Sequence, residues 1–218
     1  DGPALVADLA GSADVSLDSL PAEAAEPIAA ALRERGRNAE VVEDDMTAEL
    51  ALPGSFEDWL SAIGKKERHE TRRKRRRYEE MVGPVRVETF DSPGPRLDEF
   101  VALHRTSVGE KQGFMTDPMA AYFADLLGLE GWSINALVDP SGAMVAAGVG
   151  VYDPDGFSLY NSAFDRERGA ASPGVVLISS LIEHCVVAGA RRLDFLKGDE
   201  AYKFRLGARS RPLFTVSA

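Results

Sequence analysis

Four side chains that can move protons or hold anions lie within five residues near the end of the chain. After Gly198 come Asp199 and Glu200, followed by the phenol of Tyr202 and the amine of Lys203. Carboxylates and phenols act as general bases and acids when their surroundings tune their pKa values. This turn is therefore the first candidate for chemistry, and the elements before it must position it.

The segment before the turn predicts a helix followed by a strand. Ser172 is a candidate N-cap, because its hydroxyl can accept a free backbone N–H, and Pro173 suits the first helical position. Apolar residues then recur at helical spacing up to Gly189, which suits a helix end. Residues 191–196 follow as a strand of buried type.

Two features of this segment predict a ligand site. Gly174 leaves the first backbone N–H groups of the helix uncovered at its positive end, where an anion can bind. The strand delivers the ionisable turn beyond its carboxyl end, where open α/β sheets usually bind ligands. The alternative is purely structural, because a capped core helix, a strand and a polar turn occur in many domains.

Composition limits the possible classes of protein. A chain of 218 residues suits one large or two small domains. Its single cysteine, Cys185, lies in an apolar helical pattern, and no cluster has metal-ligand spacing, so we expect no metal and a reducing compartment such as the cytoplasm. We see neither a membrane-spanning stretch nor a signal peptide, although the chain begins with Asp1 and an upstream portion can have been removed.

The charge is strongly uneven. Residues 65–77 carry nine Lys or Arg against two Glu, a net +7 in a chain of net charge −10, so the rest carries −17. We predict one helix from Lys65 to Met81, because no Gly or Pro interrupts the segment before Gly83. The helix is either a solvated face or a surface for an anionic ligand, such as a phosphate-bearing cofactor, an anionic carrier lipid or a membrane. We expect no specific nucleic-acid binding, since the rest is acidic and no aromatic residues accompany the cations.

The remaining pattern predicts an α/β fold with a mixed sheet. Before residue 58 we expect one helix, 24–35, among short strands at 4–9, 15–17, 38–42 and 48–52. Ser55 and Asp58 resemble a capping box. After residue 84 the predicted order is strand, two helices, three antiparallel strands, helix, strand, short helix and strand, with the three antiparallel strands at 132–138, 143–152 and 156–164. The second of the two helices begins at Asp117, its predicted cap.

This order resembles the GNAT acyltransferase fold, in which the sheet splits after its fourth strand and acyl-CoA lies in the opening. GNAT proteins carry a Q/R-x-x-G-x-G/A loop whose N–H groups hold the CoA pyrophosphate. Two registers are possible here. Arg166, Gly169 and Ala171 satisfy the pattern literally, whereas aligning Gly174 with the second Gly gives the usual helix length and is preferred.

Four segments extend the resemblance to the bacterial GNAT branch associated with cellulose and other exopolysaccharide biosynthesis, which is related to the Fem-type peptidoglycan aminoacyltransferases. They are WLSAIGKKERHETRRKRRRYE, LHRTSVGEKQGF, SPGVVL and LDFLKGDEAYKFRLG, within residues 59–207. The resemblance implies a GNAT-like domain over residues 59–218. Residues 1–58 would then be the remnant of a degenerate N-terminal GNAT-like half.

The resemblance also implies roles for individual residues. Tyr202 stands where many GNAT enzymes have their general acid. The candidate bases are Glu200, Asp199, Asp194 and Glu110, with His104 behind them because it lies on an apolar helix face. The residues implied to bind the cofactor acetyl-CoA are Arg166, Arg168, Gly169, Ser172, Gly174, Val175 and Lys203.

Three functions follow as expectations. The leading one is transfer of an acyl group from acyl-CoA to an amine or hydroxyl of a small molecule or cell-envelope saccharide. The second is Fem-like transfer of an aminoacyl group from charged tRNA. The third is a non-catalytic binding module on the same fold.

Overall fold

The protein has a mixed α/β fold, seen in a computed structural model that describes residues 14–108 and 113–218. Within these residues the elements are β1 (Ser16–Pro21), α1 (Ala22–Glu34), β2 (Glu40–Ala51), α2 (Phe56–Ala62), α3 (Lys65–Met81), β3 (Val87–Phe90), α4 (Pro95–Arg105), α5 (Asp117–Leu127), β4 (Trp132–Val138), β5 (Met144–Tyr152), β6 (Gly156–Phe164), α6 (Pro173–Val187), β7 (Arg192–Lys197), α7 (Ala201–Arg205) and β8 (Arg209–Ser217). They form two compact units.

The first unit joins the early residues to the end of the chain. It contains residues 14–49, Leu196–Phe204 and Ala208–Ala218. Its strands lie in the order β1-β8-β2, and β8 is antiparallel to both neighbours. Helix α1 contributes Ala25, Ala29 and Leu32 to a small core that also contains Val216 of β8. The early residues therefore complete their core with the last strand.

Two strands predicted in the first unit are a single strand. The sequence predicts two strands, at 38–42 and 48–52. In the structure a single strand, β2, runs unbroken from Glu40 to Ala51 across the polar residues Glu43–Asp45. β2 pairs with β8 along nearly its whole length, with a register shift between Glu43 and Asp45. This pairing overrides the weak strand preference of the acidic residues in the middle of β2. The strand predicted at 4–9 lies outside the described residues.

The second unit contains the predicted meander. It comprises Leu50–Phe195 and Arg205–Gly207, and its strands lie in the order β7-β6-β5-β4-β3. The strands β3, β4, β5 and β6 pair with one another in antiparallel order, and β7 pairs with β6 in parallel. The helices α4 and α5 cover one face through a core that includes Phe100 and Phe123. Helix α6 packs on β4, β5 and β6.

Two helix starts test the capping predictions. The Ser55 hydroxyl accepts the backbone N–H of Asp58 at 3.1 Å, so the predicted cap of α2 is confirmed. At α5 the cap is Thr116, whose Oγ1 accepts the N–H of Met119 at 3.3 Å, and the predicted cap Asp117 is already the first helical residue. The prediction was one residue too late.

The division into units does not coincide with the boundary predicted after residue 58. The first unit is discontinuous, because residues from the end of the chain complete it. That residues 1–58 are the remnant of a degenerate GNAT-like half, followed by a GNAT-like domain over residues 59–218, stays a prediction.

Candidate active site

The central feature of the second unit is a fork between two parallel strands. β6 and β7 pair at three positions, Gly156 with Arg192, Phe157 with Leu193 and Ser158 with Asp194. β6 then continues to Phe164 while its pairing with β7 ends, within the described part of the chain. The freed edge of β6 offers backbone groups to a ligand that enters the fork.

A bulge in β6 changes the direction of the side chains at the fork. The register against β5 passes from Val149–Asn161 to Gly150–Leu159, so Tyr160 is the extra residue. Its ring packs against Phe123 of α5 at a centroid distance of 5.7 Å, and the Asn161 Oδ1 lies 3.0 Å from Nε2 of His104. Two successive side chains therefore face the α4 and α5 side of the sheet.

His104 is a core histidine, as the sequence indicated. It is 1 % exposed. Because an amide oxygen only accepts, its Nε2 donates the hydrogen bond to Asn161. We assign it a role in holding β6 beside the bulge, and its burial keeps it from direct contact with a substrate.

An aromatic surface lies on the same side of β6. The Tyr160 ring contacts Trp132 at 5.6 Å and Tyr122 at 6.5 Å between centroids. Tyr160 remains 37 % exposed and Tyr122 45 % exposed. Burial raises the pKa of Tyr160, so its hydroxyl keeps its proton near pH 7. No motif in the sequence pointed to this surface, because its members come from three separate elements.

The segment that leads from β6 into α6 contains most of the residues predicted to bind CoA. Ser172 occupies the predicted cap position, but it is left-handed, with φ 57° and ψ 47°, and its side chain makes no capping hydrogen bond. The prediction of a side-chain cap is therefore wrong. Ser172 directly follows the turn Gly169–Ala171, and its carbonyl accepts the N–H groups of Val175 and Val176.

The N–H groups of this segment are only partly available. Those of Gly169, Ala171 and Ser172 donate within the turn. The N–H of Gly174 has no acceptor among the described residues. It lies in the first turn of α6, where the helix favours negative charge. Fewer backbone N–H groups are therefore available to bind an anion than the sequence pattern predicts.

Gly174 and Gly169, the two alternatives for the motif glycine, have different surroundings. A Cβ on Gly174 would lie 3.2 Å from Cδ1 of Phe164, so this exposed ring must shift by a few tenths of an ångström to accept a larger residue. A Cβ on Gly169 would meet no heavy atom within 4 Å. The nearby side chains of Arg166 and Val175 are exposed.

Arg168 faces protein groups. Its Nη1 lies 2.8 Å from Oδ2 of Asp139 and its Nε lies 3.2 Å from Oδ2 of Asp165. Hydrogen bonds from Ser141 and the guanidinium of Arg168 hold the pKa of Asp139 well below its usual range. Arg168 thus belongs to an ion-pair group with Asp139 and Asp165, and its contact with CoA stays a prediction.

In the first unit, the ionisable turn is built around Lys203. Its side chain is buried, and Nζ donates to the carbonyls of Leu196, Lys197 and Gly198 at 3.1–3.2 Å and pairs with Glu200 at 2.8 Å. Three protons shared among four acceptors leave none for a cofactor phosphate. Lys203 therefore stabilises the turn.

Tyr202 is partly exposed beside this lysine. Burial, reinforced by the charge of Glu200, raises the pKa of Tyr202 to about 12. The phenol is therefore protonated at neutral pH, as a general acid requires, but it is a weaker acid than a free phenol.

The predicted bases are scattered. Asp199 is exposed and Glu200 pairs with Lys203 in the first unit. Asp194, in the second unit, is buried opposite Ser158 at the last paired position of the fork and lies 4.0 Å from Nη1 of Arg192. Glu110 lies outside the described residues. Which of these is a base stays a prediction.

Helix α3 has the predicted bounds, and four of its six arginines have carboxylate partners. Arg72 pairs with Glu57, Arg73 with Glu70, Arg75 with Glu183 and Arg76 with Glu80, at distances of 2.5–4.0 Å. The positive charge of the helix is therefore compensated only in part, and two of the carboxylates, Glu57 and Glu183, lie outside the helix. That the helix binds an anionic ligand stays a prediction.

We expect Arg75→Gln to lower the melting temperature and Arg76→Gln to leave it unchanged. Arg75 also lies 3.4 Å from the Ser179 hydroxyl and 5.0 Å from the centre of the Phe56 ring, whereas Arg76 makes an exposed pair. Loss of the charged hydrogen bonds of Arg75 costs about 2 kcal/mol, or roughly 4–8 °C in a chain of this size. Equal melting temperatures for the two variants would mean that Arg75 does not fix α3 to α6.

A strand fork followed directly by a helix is the arrangement that the resemblance to GNAT proteins predicts. The sequence profile described as acetyltransferase (GNAT) domain matches residues 65–204. The chain belongs to the GNAT acetyltransferase domain family, and its enzyme class is acyltransferase.

Three solved structures are similar to this chain. They are L-PGS from Bacillus licheniformis (15% identity, TM-score 0.65, covering 98% of this chain and 70% of that one), the C-terminal domain of a putative lysylphosphatidylglycerol synthetase from Agrobacterium fabrum (14%, 0.63, 99% and 72%) and FemX (12%, 0.68, 98% and 74%). At these identities the likeness shows the fold alone. A search of curated proteins finds no match.

Two expected absences can be compared with the structure. Within the described residues, no helix is both long and apolar enough to span a membrane. No group of three or more metal-ligating side chains is present in that same part of the chain.

Proposed function

We propose that the protein transfers an acyl group from acyl-CoA to an amine or hydroxyl acceptor. The observation that carries this proposal is the fork between β6 and β7, followed directly by a helix whose Gly174 N–H has no acceptor within the described residues. A thioester in the fork would lie along the freed edge of β6. The pyrophosphate would then meet the positive end of α6.

The chemistry requires a base, an acid and a polarised carbonyl. The acceptor nitrogen or oxygen attacks the thioester carbonyl, a base takes its proton, and the C–S bond breaks as an acid protonates the thiolate. Asp194, at the last paired position of the fork, is the candidate base in the second unit. Tyr202, in the first unit, stays the acid that the resemblance implies. The single cysteine is not a nucleophile, because burial raises the pKa of Cys185 to about 11.

For the acceptor we propose a saccharide of the cell envelope or its precursor. The resemblance to the exopolysaccharide-associated branch motivates this class. The exposed rings of Tyr122 and Tyr160 support it, since flat amphipathic rings suit the apolar face of a sugar and their hydroxyls suit its polar edge.

A second candidate is transfer of an aminoacyl group from charged tRNA. It is favoured by the turn Gly169–Ser172, where three N–H groups are already used and fewer remain for a pyrophosphate. The carboxylate partners of four arginines on α3 argue against it, because phosphate contacts need available cations.

Calorimetry on the intact protein tests the proposal. We expect acetyl-CoA and CoA to bind at micromolar concentrations, and bulk tRNA to bind only weakly at physiological salt. Submicromolar tRNA binding without CoA binding would replace the proposal by the second candidate. Binding of neither would favour a non-catalytic module.

A further inference from the structure

The segment that connects β6 to α6 is tied to a distant turn by a single carboxylate. Asp139 lies in the turn between β4 and β5, and its Oδ1 accepts the Ser141 N–H at 2.9 Å, the Ser141 hydroxyl at 2.6 Å and the Ala143 N–H at 3.1 Å. Its other oxygen, Oδ2, accepts from Arg168 at 2.8 Å. The Asp139 residue is 7 % exposed.

Arg168 joins this turn to its own segment. Its Nε pairs with Asp165, whose other carboxylate oxygen accepts the N–H of Glu167 at 2.9 Å. The backbone N–H of Asp165 is in turn bound to the carbonyl of Val145 at 2.8 Å. The Arg168 guanidinium therefore binds two carboxylates: that of Asp139, in the turn between β4 and β5, and that of Asp165, in the segment between β6 and α6.

We propose that Asp139 and Arg168 form a positioning pair that sets the orientation of residues 165–174 and thereby prepares the Gly174 N–H for the donor. The proposal rests on the proposed function, because it places the donor's pyrophosphate at α6. Ser172 holds an unfavourable left-handed conformation without a side-chain cap, so the segment needs support from outside itself. The ion pair supplies that support. Asp139 and Arg168 act on the position of the segment and not on the reacting atoms.

Charge and positioning predict opposite signs for one variant. Asp139→Asn removes a negative charge close to the segment, so simple electrostatics predicts tighter binding of an anionic donor. A positioning role predicts weaker binding, because Arg168 loses the partner that fixes it. We expect the dissociation constant of acetyl-CoA to rise at least about tenfold, which corresponds to about 1.4 kcal/mol.

Five further variants complete the design. Arg168→Gln should weaken binding as much as Asp139→Asn, and the double variant should be no worse than either alone, as for a coupled pair. Arg168→Lys keeps the charge but cannot hold both carboxylates, so we expect little recovery. Arg191→Gln removes the same charge from an exposed pair and should bind normally. Ser141→Ala disturbs the turn without touching Arg168 and separates damage to the turn from loss of the pair.

Hydrogen exchange of the protein without donor gives a readout that needs no binding. We expect faster exchange of residues 165–176 in Asp139→Asn and Arg168→Gln, with wild-type rates in α4 and α5 as evidence of an intact fold. Unchanged exchange, or tighter CoA binding by Asp139→Asn, would overturn the positioning pair. Faster exchange in a protein whose wild type binds no CoA would leave the pair standing and reject the proposed donor.

Discussion

We expect Gly174→Glu to abolish acyl-CoA binding while Gly169→Glu weakens it only slightly. The new side chain at position 174 places a carboxylate beside the backbone N–H of the same residue, which has no acceptor within the described residues. The carboxylate therefore repels the pyrophosphate. The Cβ of this side chain meets only the edge of the Phe164 ring, which is partly exposed and can shift by a few tenths of an ångström. We expect at least about a hundredfold loss of affinity, or about 2.7 kcal/mol, by calorimetry.

Gly169→Glu is the matched comparison. It adds the same charge five residues earlier, where a side chain meets open space. The pair of variants therefore decides between the two registers of the motif. Greater loss at Gly169 would assign the pyrophosphate to the literal pattern of Arg166, Gly169 and Ala171. Normal binding by both folded variants would place the donor elsewhere.

The second large effect is expected at Tyr202. Tyr202→Phe removes the phenolic proton and keeps the ring, so we expect kcat to fall by roughly 10² with little change in KM, as for loss of a general acid. Tyr152→Phe removes a hydroxyl from a residue outside the proposed machinery and should leave kcat unchanged. A wild-type kcat for Tyr202→Phe would remove Tyr202 from the mechanism.

The raised pKa of Tyr202 gives this prediction a pH dependence. A group with a pKa of about 12 keeps its proton throughout the neutral range, so Tyr202 alone would cause no alkaline loss of activity between pH 7 and 10. The charge of Glu200 contributes to the shift, so Glu200→Gln should lower the pKa of Tyr202. Titration of the phenol by ultraviolet absorbance, with Tyr202→Phe as the reference, measures that change.

The sequence predicted the elements that depend on periodicity. The bounds of α3, β4 and β6 agree with the prediction, because long uninterrupted patterns leave little ambiguity. The division of β2 was wrong, because pairing with a strand some 170 residues away decided it. Long-range pairing leaves little trace in a local pattern.

The sequence supplied the residue types of the candidate site but not their partners within the protein. Arg168 and Lys203 are predicted to bind a cofactor, and in the structure one pairs with two carboxylates and the other donates to three carbonyls. A cationic side chain looks the same in sequence whether its partner is a ligand or the backbone. The prediction of the Ser172 cap was wrong for a related reason, since residue preference carries no information about the left-handed backbone of Ser172.

The central position of β8 in the first unit affects the order in which the protein can fold during synthesis. β1 and β2 are synthesised before the other described strands, but the strand that lies between them is made after all of these. Both early strands must therefore wait, with edges unpaired by β8, until residues 209–217 have been released. In a cell this interval would be the period of greatest exposure to proteases and to mispairing with other nascent chains.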